Sequence, residues 1–147
     1  MILRSAAAGE ADQLTALTRR SKASWGYDSE FLERVDHLLV VHASDIDEGG
    51  FVVAERDGVL LGYYRLRGTA PDGELVDLFV DAPAIGTGLG RVLWDHAVAT
   101  ALDRGFRTLS WESDPHAEPF YLRMGAVRVG EREVAPGRVL PLMTFTP

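Results

Sequence analysis

The sequence contains no cysteine, and this absence removes several chemistries at once. Disulfide bonds, thiolate metal sites and a cysteine nucleophile are all excluded. Long apolar runs are missing too, because no stretch approaches the roughly 20 residues that cross a bilayer. The first residues, MILRSAAAGEADQL, hold too short an apolar segment before their acids for a secretory signal. We therefore expect a cytoplasmic protein with no membrane partner.

Positive charge is also scarce. Fifteen lysine and arginine residues stand against 22 acidic residues, which gives a formal net charge of −7. This balance disfavours a nucleic-acid partner and mildly favours a cationic small molecule. With 147 residues, 46% of them hydrophobic and 25% charged, the chain has the composition of one globular domain over residues 1–147.

Apolar periodicity and turn signals predict an alternation of strands and helices. Strands are predicted at residues 1–5, 51–55, 59–66, 74–80, 106–111, 126–133 and 139–145. Helices are predicted at 9–24, from 28 onward, at 89–104 and at 114–125. This order indicates one mixed α/β sheet with helices packed on it.

Caps and turns mark the ends of these elements. Asp28 is the expected cap of the second helix, whose inner face is predicted to hold Phe31, Leu32, Val35, Leu38 and Leu39. Residues 45–50 are a polar break, and Asp57-Gly58 predicts a two-residue hairpin turn. Gly105 and Gly125 are expected to end the last two helices.

A glycine loop precedes the third predicted helix, with glycine at positions 86, 88 and 90. Such a loop often holds a phosphate on backbone N–H groups. A dinucleotide fingerprint fits poorly, because Arg91 takes the place of the third glycine and residues 81–85 separate the strand from Gly86. A triphosphate loop is excluded by the absence of Gly-Lys-Ser/Thr. A phosphate loop of another kind and a simple turn both remain open.

Two motifs lie around the third predicted helix and after the strand that follows it. In the first, Leu78-Phe79-Val80-Asp81 ends a strand and precedes Gly88-Leu89-Gly90 at a helix start. It resembles a signature of the GCN5-related N-acetyltransferase (GNAT) family, in which a strand that ends in valine is joined to Arg/Gln-x-x-Gly-x-Gly/Ala. The second is Asn-x-x-Ala-x-x-Phe-Tyr-x-x-x-Gly-Phe, which matches DPHAEPFYLRMGA at residues 114–126. Both occur in the family's order, one helix and one strand apart. The resemblance implies a GNAT fold, with a mixed, mostly antiparallel twisted sheet of about six or seven strands and about four helices.

The chain departs from the family pattern at two positions. Ile85 replaces the usual arginine or glutamine of the loop, and Asp114 replaces the usual asparagine. Because backbone N–H groups are the main phosphate ligands, we expect cofactor binding to survive the first change. Asp114 is expected to cap the following helix, with Pro115 at its first position.

The resemblance implies that acetyl-CoA is the cofactor and that an amine attacks its thioester directly. The pantetheine arm would pair with β-backbone at Phe79 and Val80, whose N–H would polarise the thioester carbonyl. The diphosphate would rest on the loop. The cofactor-binding residues implied are Phe79, Val80, Ile85, Gly86, Thr87, Gly88, Leu89, Gly90, Arg91, Asp114, Ala117, Phe120 and Tyr121.

Proton transfer needs a base for the amine and an acid for the thiolate. Glu74 lies six residues before Val80, the offset of the base glutamate in the histone-modifying branch of the family. Asp77 is the second candidate base, and a water chain is a third possibility. Tyr121 stands where the family has its general-acid tyrosine, and a core tyrosine is the alternative interpretation.

The acceptor site is less well defined by the sequence. Trp25 and Tyr27 lie between the first two helices, and Arg138 lies in the last loop, so all three are candidate contacts for a small-molecule or peptide amine. The four histidines show no metal-ligand spacing, and no metal is expected. A GNAT-like module that binds acyl-CoA without turnover is the alternative function, and the family resemblance favours a homodimer.

Overall fold

The computed structural model describes every residue from Met1 to Pro147. Seven strands form one sheet in the order β1-β2-β3-β4-β5-β7-β6. They are β1 (Ile2–Ser5), β2 (Phe51–Arg56), β3 (Val59–Thr69), β4 (Asp72–Val80), β5 (Thr108–Glu112), β6 (Val127–Ala135) and β7 (Arg138–Phe145). The pairing of β4 with β5 is parallel. The pairings of β1 with β2, β2 with β3, β5 with β7 and β6 with β7 are antiparallel.

Five α-helices accompany the sheet. They are α1 (Ala11–Ala23), α2 (Ser29–Val35), α3 (Ala43–Asp47), α4 (Leu89–Asp103) and α5 (Glu118–Arg123). None of them combines the length and the apolar character that a bilayer-spanning helix requires. The mixed α/β sheet predicted from the sequence is therefore confirmed, with seven strands and one helix more than the four expected.

Internal contacts divide the chain into two compact units. The first comprises Met1–Arg65 and Asp77–Leu93, and the second comprises Leu66–Val76 and Trp94–Pro147. Each unit has its own core, described below. The sequence-based assignment of residues 1–147 to a single domain stays a prediction.

The core of the first unit forms where α1 packs against β2 and β3. Leu14 and Leu17, one turn apart on α1, are completely or almost completely buried. Burial of a leucine side chain stabilises the fold by roughly 1.5–3 kcal/mol. The same cluster holds Val41, Ile46, Phe51, Val53, Leu60 and Tyr63, with Phe79 packed against it. The C-terminal part of β4 is thereby anchored to this core.

Aromatic side chains dominate the core of the second unit. The ring of Trp94 on α4 meets Trp111 of β5 at 5.6 Å, Tyr121 of α5 at 5.9 Å and Phe145 of β7 at 5.0 Å between centroids. Separations and tilts of this kind are favoured for aromatic pairs because ring edges meet ring faces. One tryptophan thus ties two strands and a short helix to α4.

Several local predictions are confirmed. The carboxylate of Asp28 accepts a hydrogen bond from the N–H of Phe31 at 2.8 Å, as expected of a helix cap. Asp57 and Gly58 both have positive φ, 52° and 80°, as the mirror-image hairpin turn between β2 and β3 requires. Gly105 and Gly125 follow α4 and α5 with φ of 78° and 95°.

Other local predictions are wrong. The polar break at 45–50 overlaps the short helix α3, which forms because Ile46 is buried in the first core while its neighbours stay polar. Leu38 was expected on the inner face of the second helix, but it is 71% exposed. The reason is that α2 ends at Val35 and the 3-10 turn Asp36–Leu38 that follows directs this side chain outward. β4 begins at Asp72, two residues earlier than predicted.

A charge cluster joins β1 to the residues before α1. The Arg4 guanidinium donates to both carboxylate oxygens of Glu10, at 2.9 and 2.7 Å, and to Glu55 at 2.6 Å. The N–H of Ala7 also donates to Glu10. The hydrogen bond from Arg4 is the main cause that lowers the pKa of Glu10 below its ordinary value.

This cluster predicts an acid-sensitive contribution to stability. A depressed pKa in the folded state means that Glu10 stabilises the fold fully above about pH 4.5, and the contribution is lost as the pH falls through the folded-state pKa. Glu10→Gln should lower the free energy of unfolding by about 1–2 kcal/mol at pH 7, with a difference from wild type that narrows below pH 4.5. Urea unfolding between pH 7 and pH 4 measures both effects.

Glu30→Gln is the matched control, because Glu30 makes a single ion pair with Arg34 on the exposed face of α2. We expect almost no change in its free energy of unfolding. A Glu10→Gln deficit that stayed constant with pH would contradict the assignment.

Candidate active site

The glycine loop follows β4 and leads into α4. Residues Ala82–Ala84 form one tight turn, and Gly86 and Gly88 then adopt φ of 83° and 88°. A Cβ built on either glycine would meet no heavy atom within 4 Å, so the space above both is open. The first N–H groups of α4, at Leu89 and Gly90, have no intrahelical carbonyl to bond. The loop therefore presents backbone donors and a helix dipole to open space, as a phosphate site requires.

The backbone at the end of β4, just before this loop, is held by β3. The N–H of Asp81 donates to the carbonyl of Leu61 on β3 at 2.8 Å. A Cβ at Gly62 would lie 2.8 Å from the carbonyl oxygen of Phe79, so only glycine allows this close approach. Because successive N–H groups of a strand point to opposite edges, the N–H of Val80 points away from β3.

A groove opens where β4 and β5 part. The two strands pair only through Asp72, Gly73 and Glu74 of β4, although β4 continues to Val80. The groove has a volume of about 490 Å³. It is lined by Glu74, Leu75, Val76, Ser110, Trp111, Glu112, Val129, Leu142 and Met143. The structure thus places Glu74, the first candidate base, on the wall of an open groove.

Two acids of this groove are paired with arginines. Glu74 accepts from Nη2 of Arg67 at 2.7 Å, while its side chain stays partly exposed. Glu112 accepts from Nε and Nη2 of Arg132 at 2.6 and 2.7 Å, and this pairing lowers the pKa of Glu112. A single partner leaves Glu74 with an oxygen that accepts nothing from Arg67, whereas both oxygens of Glu112 are engaged.

The second candidate base, Asp77, lies in the first unit close to the buried phenol of Tyr63. Burial is the main cause that raises the pKa of Tyr63 well above its ordinary value, and the charge of Asp77 adds to it. The phenol oxygen lies 2.7 Å from Oγ1 of Thr18. Tyr63 is therefore a neutral hydrogen-bonding group at neutral pH.

Tyr121, the candidate general acid, is buried, with only 6% of its surface accessible to solvent. Its ring centroid lies 4.9 Å from that of Trp111 and 5.3 Å from that of Phe120. The loop after α5 closes with the N–H of Ala126 donating to the carbonyl of Tyr121 at 3.0 Å. The packing fixes the ring rigidly, which serves a core role and a catalytic role equally well.

The predicted role of Asp114 as a helix cap is wrong. α5 begins at Glu118, Ala117 is the N-cap residue before it, and no side chain makes a capping hydrogen bond there. Asp114 instead accepts from the N–H of His116 at 2.8 Å and closes a turn through Ala117, whose N–H donates to the Asp114 carbonyl. Because residues 114–117 form this turn, α5 begins about one helical turn later than predicted. Arg138 approaches the Asp114 carboxylate to 3.8 Å.

Tyr27, one of the two acceptor candidates between α1 and α2, contacts a second aromatic ring and a lysine. The ring of Tyr27 stacks on Phe31 with 4.2 Å between centroids, and Nζ of Lys22 lies 5.1 Å from the Tyr27 ring centre. Trp25 is partly exposed. Lys22 is itself buried and was not among the residues predicted for this region. Nothing in the local sequence pattern shows that a lysine near a helix end is buried.

Family comparison agrees with these motifs. The model of the acetyltransferase (GNAT) family matches residues 13–126. The chain therefore belongs to the GNAT family, and the resemblance found in the sequence is confirmed.

Three relatives illustrate the match. A 5-NmdU N-acetyltransferase of Pseudomonas phage PaMx11 is 28% identical over 133 residues, which cover 89% of this chain and 90% of the relative. A mycothiol acetyltransferase of Cellulomonas flavigena is 40% identical over 74 residues, but these cover 43% of this chain and 21% of that protein. The PaiA N-acetyltransferase of Thermoplasma acidophilum in complex with coenzyme A superposes with a TM-score of 0.81 at 17% identity, over 99% of this chain and 98% of the other.

The protein is thus an acetyl-CoA-dependent N-acetyltransferase. The residues present fit this cofactor, because a side chain at position 86 or 88 would occupy the open space that the loop leaves above its backbone donors. When bound, acetyl-CoA supplies the activated acetyl group. The relatives described above are all acetyltransferases, which supports turnover over the alternative of binding alone.

Ile85 tests how much the loop depends on its backbone. The side chain is 47% exposed, so an arginine there would reach the diphosphate through solvent. Ile85→Arg should tighten acetyl-CoA binding by no more than about fivefold, because an exposed charge pair contributes at most about 1 kcal/mol. Calorimetric titration measures this change. Leu102→Arg, exposed in the last turn of α4, is the control for added charge. A gain above tenfold would mean that the backbone alone holds the diphosphate poorly.

Proposed function

We propose that the protein transfers the acetyl group from acetyl-CoA to a primary amine by direct attack of the amine on the thioester. The observation that supports this most is the course of β4, which leaves its partner strand after Glu74 and runs into the glycine loop. One strand thus offers a carboxylate, a backbone edge and a phosphate site in succession. Without cysteine, the chain has no thiol to carry the acetyl group.

The backbone of β4 is proposed to orient the thioester. Phe79 and Val80 offer an edge that an extended pantetheine arm can join as an added strand. The N–H of Val80 then donates to the thioester carbonyl and stabilises the negative charge that develops on its oxygen. The close packing of Phe79 on Gly62 supports this role, because it holds the donor in place before the cofactor arrives.

We propose Glu74 as the base that takes the proton of the amine. An alkylamine with a pKa near 10 is mostly charged at neutral pH and must lose a proton before it attacks. Glu74 lines the groove and has a carboxylate oxygen that Arg67 does not occupy. Asp77, by contrast, lies beside the buried Tyr63, and this position suits a substrate anchor better than a base.

Tyr121 is proposed to give its phenol proton to the departing thiolate. A phenol with a pKa of about 10 matches the basicity of an alkyl thiolate, so the proton transfer is nearly balanced. The aromatic packing around Tyr121 holds the phenol in one orientation, which this role requires.

The acceptor is proposed to be an amine of a small molecule or a peptide. Trp25 and Tyr27 are the residues we assign to its binding, Arg138 stays a candidate contact from the sequence alone, and the net charge of −7 favours a cationic acceptor. The phage relative is named for 5-NmdU, so this compound belongs in any acceptor panel.

We further propose that the enzyme acts in the cytoplasm as a homodimer, for which light scattering should give about twice the chain mass of 16.1 kDa.

Calorimetric titration with acetyl-CoA, followed by thiol release with a panel of amines, tests the function. Wild type should bind acetyl-CoA and release thiol with at least one amine.

Tyr121→Phe should lower kcat by about 10²-fold or more with unchanged acetyl-CoA affinity, because the ring stays packed while the proton donor is lost. Tyr64→Phe, in a fully buried tyrosine of β3, is the control. Unchanged turnover of Tyr121→Phe would remove Tyr121 from its role.

Glu74→Gln should lower kcat/KM by about 10²-fold near pH 7.5. The deficit should shrink toward pH 9.5, because the amine then loses its proton without help. Glu112→Gln, which also alters a paired acid of the groove, should change kcat/KM little at either pH. The pH profile of Asp77→Asn completes the set, and a pH-dependent loss in that variant alone would move the base to Asp77.

A further inference from the structure

Arg20, in the last turn of α1, forms a two-pronged ion pair with Asp81, directly after β4. Its Nε and Nη2 donate to Oδ1 and Oδ2 of Asp81 at 2.9 and 2.8 Å. The side chain of Arg20 is 52% exposed, but that of Asp81 is only 11% exposed. The carboxylate is therefore the buried partner, and it depends on Arg20 for compensation of its charge.

Asp81 stands at the N-terminal end of the turn Ala82–Ala84, a position where aspartate usually caps the turn with its side chain. Here the side chain makes no capping bond. The backbone N–H of Asp81 instead donates to Leu61, its carbonyl accepts from Ala84 at 2.8 Å, and its carboxylate binds Arg20. Asp81 is thus held by β3, by the turn that follows it and by α1, all within the first unit.

The loop after Asp81 is held mainly by its own backbone and by Leu89. The N–H and Oγ1 of Thr87 donate to the carbonyl of Ala84, and Leu89 is buried. Ala84 is buried, but Ile85 is exposed and Gly86 and Gly88 have no neighbour near their Cβ positions. The start of the loop at Asp81 is therefore one of the points that set the positions of the donor N–H groups. An uncompensated carboxylate at that start would also oppose the negative charge of a diphosphate.

A second arginine on α1 provides an internal comparison. Arg19 donates from Nε and Nη2 to both oxygens of Asp36 at 2.8 and 2.9 Å, in the same two-pronged geometry. Both side chains of that pair are about half exposed, at 49% and 45%. Asp36 belongs to the turn after α2, whereas Asp81 begins the glycine loop.

We propose that Arg20 is a positioning residue for acetyl-CoA, which acts by holding and neutralising Asp81 and thereby sets the glycine loop. This inference rests on the proposed function of the loop as the diphosphate site. It extends that function to a residue of α1, which neither family motif includes.

Calorimetric titration with acetyl-CoA and steady-state kinetics test the proposal. Arg20→Gln should weaken acetyl-CoA binding and raise its KM by about five- to tenfold, with little change in the KM of the amine. Arg19→Gln should leave both constants unchanged. Arg20→Lys should recover part of the affinity, since the charge returns without the two-pronged geometry.

Asp81→Asn separates positioning from direct contact with the cofactor. If Arg20 acts through Asp81, Asp81→Asn should also weaken binding several-fold, and the double variant Arg20→Gln/Asp81→Asn should bind no worse than Arg20→Gln. Unchanged or tighter binding by Asp81→Asn would overturn the proposal, because Arg20 would then act by its own charge.

Circular dichroism at the assay temperature confirms that each variant is folded, and if Arg20→Gln fails to fold, Arg20→Lys and Asp81→Asn decide. Wild type that fails to bind acetyl-CoA would overturn the proposed function together with this inference. Wild type that binds, with Arg20→Gln binding equally well, would overturn the inference alone.

Discussion

The early parting of β4 from β5 is the constraint on which the candidate site depends. The strands pair through only three residues of β4, and β4 then continues to Val80. Backbone groups that point to this edge beyond Glu74 need other partners, because an unpaired and desolvated N–H or carbonyl is costly. An extended ligand chain supplies such partners, so the fold creates a binding edge by leaving a sheet ladder incomplete.

An incomplete ladder works as a site only if its free edge is rigid, and β4 is held from its other side. Gly62 lets β3 approach the backbone of Phe79 closely, and Asp81 is bonded to Leu61 and to Arg20. These contacts fix the backbone donors without covering them. Preorganised donors of this kind cost no rearrangement when charge develops on a bound carbonyl.

Local signals in the sequence were sufficient for much of the fold. The Asp57-Gly58 turn, the Asp28 cap and the glycines after α4 and α5 were predictable because each depends on the φ angle or the side chain of one or two residues. α3 was missed because its five residues carry one apolar side chain, and only the core around Ile46 makes the turn helical. The failure at Asp114 has a similar origin, since the same side chain can cap a helix or close a turn.

The sequence by itself determined the glycine loop and the two motifs that resemble the family, because these depend on spacing along the chain. The cofactor and the candidate residues followed as what that resemblance implies. Only the tertiary structure decided where those residues lie and what surrounds them. It placed Glu74 on a groove, Asp77 beside a buried tyrosine and Tyr121 among tryptophans. It also joined Arg20 to Asp81 across 61 positions of sequence. No local pattern encodes such a pair, because the fold of the first unit brings these distant parts of the chain together and buries the Asp81 carboxylate.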